Sequence, residues 1–104
     1  MIRIAAITGG ASGIGRGTAQ RLLEDGWTVI ALDQDRTGLD ALRKDLASHA
    51  DRLHVQICDV TSVDSVTKAF GDIGRRFGRL NGLVCSAGVL RIGALDAMSV
   101  ADFD

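Results

Sequence analysis

Three glycines and one acid carry the first chemical signal in this chain. Gly9, Gly13 and Gly15 lie in Thr8-Gly9-Gly10-Ala11-Ser12-Gly13-Ile14-Gly15, directly after the apolar run Ile4-Ala5-Ala6-Ile7 and directly before a helical pattern. A strand that ends in such a turn and passes into a helix presents unpaired N–H groups and the positive end of the helix dipole at one point. The chemistry on offer is non-covalent, and it suits a phosphate or diphosphate. Gly9 supplies a backbone conformation closed to other residues, Gly13 lets the main chain approach a pyrophosphate, and Gly15 lets the helix lie close to the strand. Asp33 ends the next apolar run 18 residues after Gly15, near the roughly 20-residue spacing of an acid that hydrogen-bonds a ribose.

Other chemistries fail on spacing or composition. The P-loop of nucleotide triphosphatases needs Lys and then Ser or Thr after its last glycine, whereas Arg16 and Gly17 stand here. Asp33-x-Asp35-x-Thr37-Gly38 superficially resembles a calcium loop, but its twelfth position is Lys44 where a bidentate Glu is required. His49 and His54 have no acidic or cysteine partners at ligand spacing, so no metal site is expected. Cys58 and Cys85 each end an apolar run and read as buried thiols. Arg16, on a first helical turn, is expected to be solvated rather than in contact with a phosphate.

The pattern Thr-Gly-x-x-x-Gly-x-Gly, as Thr8, Gly9, Gly13 and Gly15, resembles the cofactor fingerprint of the short-chain dehydrogenase/reductase family. The resemblance implies a nicotinamide dinucleotide held by Gly9, Ser12, Gly13, Ile14 and Gly15 at the turn and by Asp33 at the adenosine ribose. NAD is expected over NADP, because the Asp33 carboxylate repels a 2′-phosphate and neither Ser12 nor Gln34 supplies the basic residue that accompanies NADP preference in the family. Asp59 and Val60 resemble the family's adenine pair, with the carboxylate on the exocyclic amine and Val60 on the ring; Asp59 also suits a helix N-terminus without any ligand. Cys85-Ser86-Ala87-Gly88 stands where the family has Asn-Asn-Ala-Gly. Ala87 and Gly88 keep the backbone open beside the cofactor, and Ser86 retains one hydrogen bond, but both amides are gone.

In the family a serine polarises the substrate oxygen, a tyrosine acts as acid/base, and a lysine four residues on lowers the tyrosine's pKa. This chain has no tyrosine, and the resemblance puts all three positions beyond Asp104. The expectation is therefore the N-terminal, NAD-binding part of an oxidoreductase that acts on a small-molecule alcohol or carbonyl, inactive by itself and homo-oligomeric when whole. The alternative is a non-catalytic, truncated nucleotide-binding or interaction module.

Composition agrees with a small-molecule partner. The 104 residues are 46% hydrophobic, with 12 basic against 13 acidic side chains and a net charge of −1, which disfavours nucleic acid and anionic membranes. The N-terminal apolar stretch is too short for a signal peptide or a membrane span. A cytoplasmic, reduced setting is expected.

The elements that must position these residues alternate. After the opening strand, Ile14, Thr18, Leu22 and Leu23 predict one helical face, stopped at Gly26. Thr28-Val29-Ile30-Ala31-Leu32 reads as a strand covered on both faces. Leu39, Leu42 and Leu46 predict a short second helix, and Leu53-His54-Val55-Gln56-Ile57 an edge strand. Thr61 or Ser62 would cap a third helix carrying Val63, Val66, Phe70, Ile73 and Phe77 and closed by Gly78, before a fourth strand at Leu83-Val84-Cys85. This alternation predicts an α/β, Rossmann-like, doubly wound parallel sheet. The resemblance implies strand order 3-2-1-4 in one domain over residues 1–104, with the remaining strands absent and an open edge on the fourth strand. Ser99 and Asp102 resemble a fourth helix start that the chain leaves before one full turn, the mark of a truncated chain.

Overall fold

The computed structural model describes residues 2–11, 13–85 and 89–92, the last four as backbone alone. Strand β1 (Ile4–Thr8) is buried along its whole length, because the sheet has helices on both faces. Helix α1 (Gly13–Glu24) leads into β2 (Thr28–Asp33), and α2 (Arg36–Asp45) with a short 3₁₀ turn leads into β3 (Leu53–Ile57). Helix α3 (Val63–Phe77) then crosses to β4 (Gly82–Cys85) on the other side of β1. The parallel order 3-2-1-4 is as expected, with β1 in register with β2 from Ile4↔Thr28 to Thr8↔Leu32 and with β4 from Ala5↔Gly82 to Thr8↔Cys85.

Alternation along the strands sorts their side chains into two cores. Ile4, Ala6, Ile30 and Leu32 pack under α3 with Val66, Ala69 and Ile73, while Ile7, Val29 and Ala31 pack under α1 and α2 with Leu23, Leu39 and Leu42. Each core thus draws on alternate residues of the same two strands, which is why those strands read as unbroken apolar runs. Two polar ties fix the lower end. Asn81 accepts from the Ile4 N–H through its side chain at 2.9 Å and donates its own N–H to the Ile4 carbonyl at 2.7 Å. Arg52 donates to the carbonyls of Leu23 and Trp27 at 2.9 and 2.8 Å, closing the end of α1 against the start of β2.

Some expectations need correction. The fourth strand's outer edge is not open: β5 (Val89–Ile92) turns back and pairs with it antiparallel, from Cys85↔Val89 to Gly82↔Ile92. An apolar edge strand offers a row of unpaired N–H and C=O groups, and the nearest following segment takes them up. In addition, the buried face of α1 is Gly15, Ala19 and Leu23, whereas Ile14 is 76% exposed. Small residues at four-residue spacing let this helix lie close to the sheet, a signal that weighting by large apolar side chains overlooks. In α3, Ser62 is the cap, accepting from the Ser65 N–H at 3.2 Å, and Gly78 ends the helix in the left-handed conformation. Val63 is 63% exposed, so the buried stripe begins at Val66. The segment from Ser99 to Asp104, expected to begin a helix, lies outside the described residues.

Gly74 lies inside α3 with open space where a Cβ would stand. Gly74→Ala should raise stability by about 0.5–1 kcal/mol, because alanine loses less backbone entropy in a helix; urea denaturation measures it.

His54 on β3 meets the ring of Phe77 edge-on at 5.0 Å and the Arg76 guanidinium 3.4 Å from Nδ1. Burial, and then the Arg76 charge, push its pKa below the ordinary 6.5. The folded chain binds this proton less readily than the unfolded one, so the contribution is full above that value and lost as pH falls through the folded pKa. The urea midpoint should drop from about pH 7.5 to about pH 5.5 by more in the wild-type chain than in His54→Gln.

Candidate dinucleotide site

The carboxyl ends of β1, β2, β3 and β4 face the same way, because all four strands are parallel. The chain winds from β1 to β2 and β3 on one side and then crosses to β4 on the other, so the strand order reverses at β1, the point beyond which doubly wound sheets hold a ligand. The glycine-rich turn follows the end of β1 there.

Positive φ angles of 69° at Gly9 and 58° at Gly13 give the turn its shape. A Cβ on Gly15 would collide with the Gly9 carbonyl, so α1 can start where it does only because that position has no side chain. Above Gly13 a Cβ would meet nothing within 4 Å, and the main chain there borders open space. Ile14 stands exposed on the first turn of α1. The turn is also docked sideways onto β2, with the Gly10 N–H donating to the Leu32 carbonyl at 3.1 Å.

Asp33 is beside this turn. Its Oδ2 accepts from the Ala11 N–H at 3.1 Å and its Oδ1 from the Asp35 N–H at 3.0 Å. Each carboxylate oxygen keeps a further lone pair for a ligand. The Cys58 N–H donates to the Asp33 carbonyl at 2.9 Å, which brings the end of β3 alongside. There Asp59 accepts through one oxygen from the hydroxyl and the N–H of Thr61, at 2.6 and 2.9 Å, while its own N–H donates to Ser65 Oγ at 2.9 Å. The two bonds from Thr61, the hydroxyl's first, hold the Asp59 carboxyl below the usual aspartate value, so it is charged near neutrality. Val60 is exposed, with Ile57 and Val63, as an apolar rim beside these two acids.

The sequence-predicted set is therefore partly assembled. Gly9, Gly13, Ile14 and Gly15 share the turn, Asp33 touches it, and Asp59 and Val60 follow the neighbouring strand. Ser12, Ser86, Ala87 and Gly88 lie outside the described residues. Arg16 pairs with Asp45 of α2, so its guanidinium is held by a carboxylate. Cys58 is buried, and burial first and then the neighbouring Asp59 charge raise its thiol pKa against the Ser65 hydrogen bond. Cys85 is only half-buried, contrary to expectation, because it ends β4 at the rim of the core. Among the described residues no three His, Cys, Asp or Glu side chains are grouped as a metal site, and no helix is long and apolar enough to cross a membrane.

Sequence reasoning missed Ala11, Asp35 and Gly38 as parts of this corner. The available signal was the Asp35-x-x-Gly38 spacing, an N-cap that accepts from the N–H three residues on.

A doubly wound sheet with a glycine turn and an acid at its switch point defines a dinucleotide-binding fold. The family model for short chain dehydrogenase matches residues 3–104, and the chain belongs to that family, whose members are oxidoreductases using nicotinamide cofactors. It is 40% identical over 86 residues to 3beta-hydroxysteroid dehydrogenase 2 of Eggerthella lenta, covering 83% of this chain and 33% of that protein. It is 34% identical over 102 residues to D-threitol dehydrogenase of Mycolicibacterium smegmatis, covering 98% of this chain and 39% of that protein. The structure of NAD+-bound xylitol dehydrogenase superposes with a TM-score of 0.73 at 30% identity, over 78% of this chain and 31% of the other. The chain thus spans well under half the length of these relatives.

Gly15→Ala should destabilise the chain by about 1–3 kcal/mol, since α1 or the turn must shift to admit the methyl group. Urea denaturation beside Gly17→Ala, whose Cβ meets nothing within 4 Å, separates this clash from general effects of alanine in α1.

Proposed function

We propose that this chain is the N-terminal, NAD-binding part of a single Rossmann domain, spanning residues 1–104, of an oxidoreductase that transfers hydride between a nicotinamide cofactor and a small-molecule alcohol or carbonyl. The observation that carries the reading is the hydrogen bond from the Ala11 N–H to Asp33 Oδ2, which brings the turn suited to a diphosphate and the acid suited to the adjoining ribose side by side. The fit is also supported by the open space above Gly13, which a side chain would fill.

In this reading the main chain from Gly9 to Gly15, with Ser12 and Ile14, receives the diphosphate at the N-terminus of α1. Asp33 accepts from the ribose hydroxyls through its remaining lone pairs and disfavours a 2′-phosphate, which makes NAD the cofactor. Asp59 and Val60 hold the adenine by a hydrogen bond and by packing. Ser86, Ala87 and Gly88 would complete the set beside the cofactor. When bound, the cofactor supplies or accepts the hydride. The chain has no tyrosine to serve as the family's acid/base, so these 104 residues bind without turnover. The relatives' names support alcohol and carbonyl chemistry in general, and the small-molecule partner follows from it. A cytoplasmic location and a homo-oligomeric whole enzyme belong to the same reading.

Fluorescence titration with NADH and NADPH tests it: NADH should bind more tightly, and tighter binding of NADPH would overturn the assignment of Asp33. Gly13→Ala should weaken NADH by about tenfold or more, because it strains a left-handed residue and fills the approach to the main chain. Gly17→Ala should leave the affinity unchanged.

A further inference from the structure

Four residues form a closed circuit around the acid. The Ala11 N–H donates to Asp33 Oδ2 at 3.1 Å, the Asp35 N–H to Asp33 Oδ1 at 3.0 Å, and the Gly38 N–H to Asp35 Oδ1 at 3.0 Å. The fourth side is steric. A Cβ on Gly38 would lie 2.9 Å from the Ala11 Cβ and 2.5 Å from Asp35 Oδ2, closer than side chains approach. The first turn of α2 therefore rests against the glycine-rich turn only because residue 38 has no side chain. Gly38 lies within a helix that gains nothing from glycine, since alanine is the better helix former.

We infer that Gly38 is a positioning residue for the Asp33 carboxylate: by letting α2 close on Ala11, it keeps both amides that orient the acid in place. This rests on the reading of Asp33 as the ribose acid. A methyl group at residue 38 must displace either Ala11 or the start of α2, and each of those carries one of the two N–H groups that Asp33 accepts from. The Asp35 carboxylate is the flexible part and can swing aside. The Ala11 Cβ is fixed directly to the main chain, has no rotamer to swing into and cannot.

Gly38→Ala, Ala11→Gly, the double variant and Gly74→Ala are compared with the wild-type chain. Amide hydrogen exchange is followed at Ala11 and Asp35, and NADH and NADPH are titrated by fluorescence. In Gly38→Ala the two amides should exchange about tenfold faster or more, and NADH should weaken about tenfold while NADPH weakens less, so that the preference between them narrows. Adding Ala11→Gly removes the opposing methyl and should restore both readouts, a coupling that a double-mutant cycle isolates. Gly74→Ala should change neither. Unaltered exchange at Ala11 and Asp35 in Gly38→Ala would overturn the inference, as would an equal loss for both dinucleotides that Ala11→Gly does not rescue. A wild-type chain that binds neither dinucleotide overturns the function proposed above, and exchange with its rescue then decides the circuit alone.

Discussion

The Asp33 carboxylate is the constraint on which the upper end of this fold depends. Its two oxygens accept from N–H groups on different segments, Ala11 in the turn after β1 and Asp35 before α2. Neither N–H belongs to a strand ladder, and neither lies within a helix. The Ala11 N–H is part-buried and, without a partner, would cost about 1–3 kcal/mol, whereas the Asp35 N–H is exposed, and bonds to a charged acceptor are stronger than neutral ones. One side chain therefore settles the path of two connections at once. The β1–β2 register, from Ile4↔Thr28 to Thr8↔Leu32, brings the acid level with the turn it holds.

The packing beneath is arranged to the same end. Gly15 and Ala19 put the axis of α1 close to the sheet, and a methyl group at Gly15 would press on the Gly9 carbonyl. On the same face, Leu39 and Leu42 fix α2 to the core, and Arg16 of α1 pairs with Asp45 of α2. The pair is partly exposed and adds little to stability.

Much of this was legible in the sequence, and the omissions have physical causes. Helix and strand positions followed from alternating periods, the strand order from the family resemblance, and the glycine spacing located the turn, because that turn admits few other residue types. The face of α1 was misjudged because glycine and alanine bury by allowing approach, which hydrophobicity does not register. The pairing of β5 with β4 was missed because a run such as Val89-Leu90-Arg91-Ile92 reveals neither its partner nor its direction; the free edge of β4 decides both. The half-buried Cys85 was misread for a related cause, since an apolar run does not show at which residue its cover ends. The spacing of Asp33 pointed to a ribose, but its bonds to Ala11 and Asp35 depend on where α2 begins, and that is a tertiary fact.

An acid with two such duties is difficult to exchange. Under the proposed reading, its charge selects against a 2′-phosphate, and the simplest way to relax that selection is to remove the charge. Asparagine at residue 33 would present one acceptor and one donor where two N–H groups now converge, so one amide would face another. Serine would reach at most one of them. Either change disturbs the turn as well as the selectivity, and the loss would fall on both dinucleotides through the diphosphate. Under that reading, cofactor choice would be tied to the conformation of the glycine-rich turn. Positions next to the acid that carry no such bonds, such as the exposed Gln34, are where a basic residue could alter the choice while leaving the turn intact.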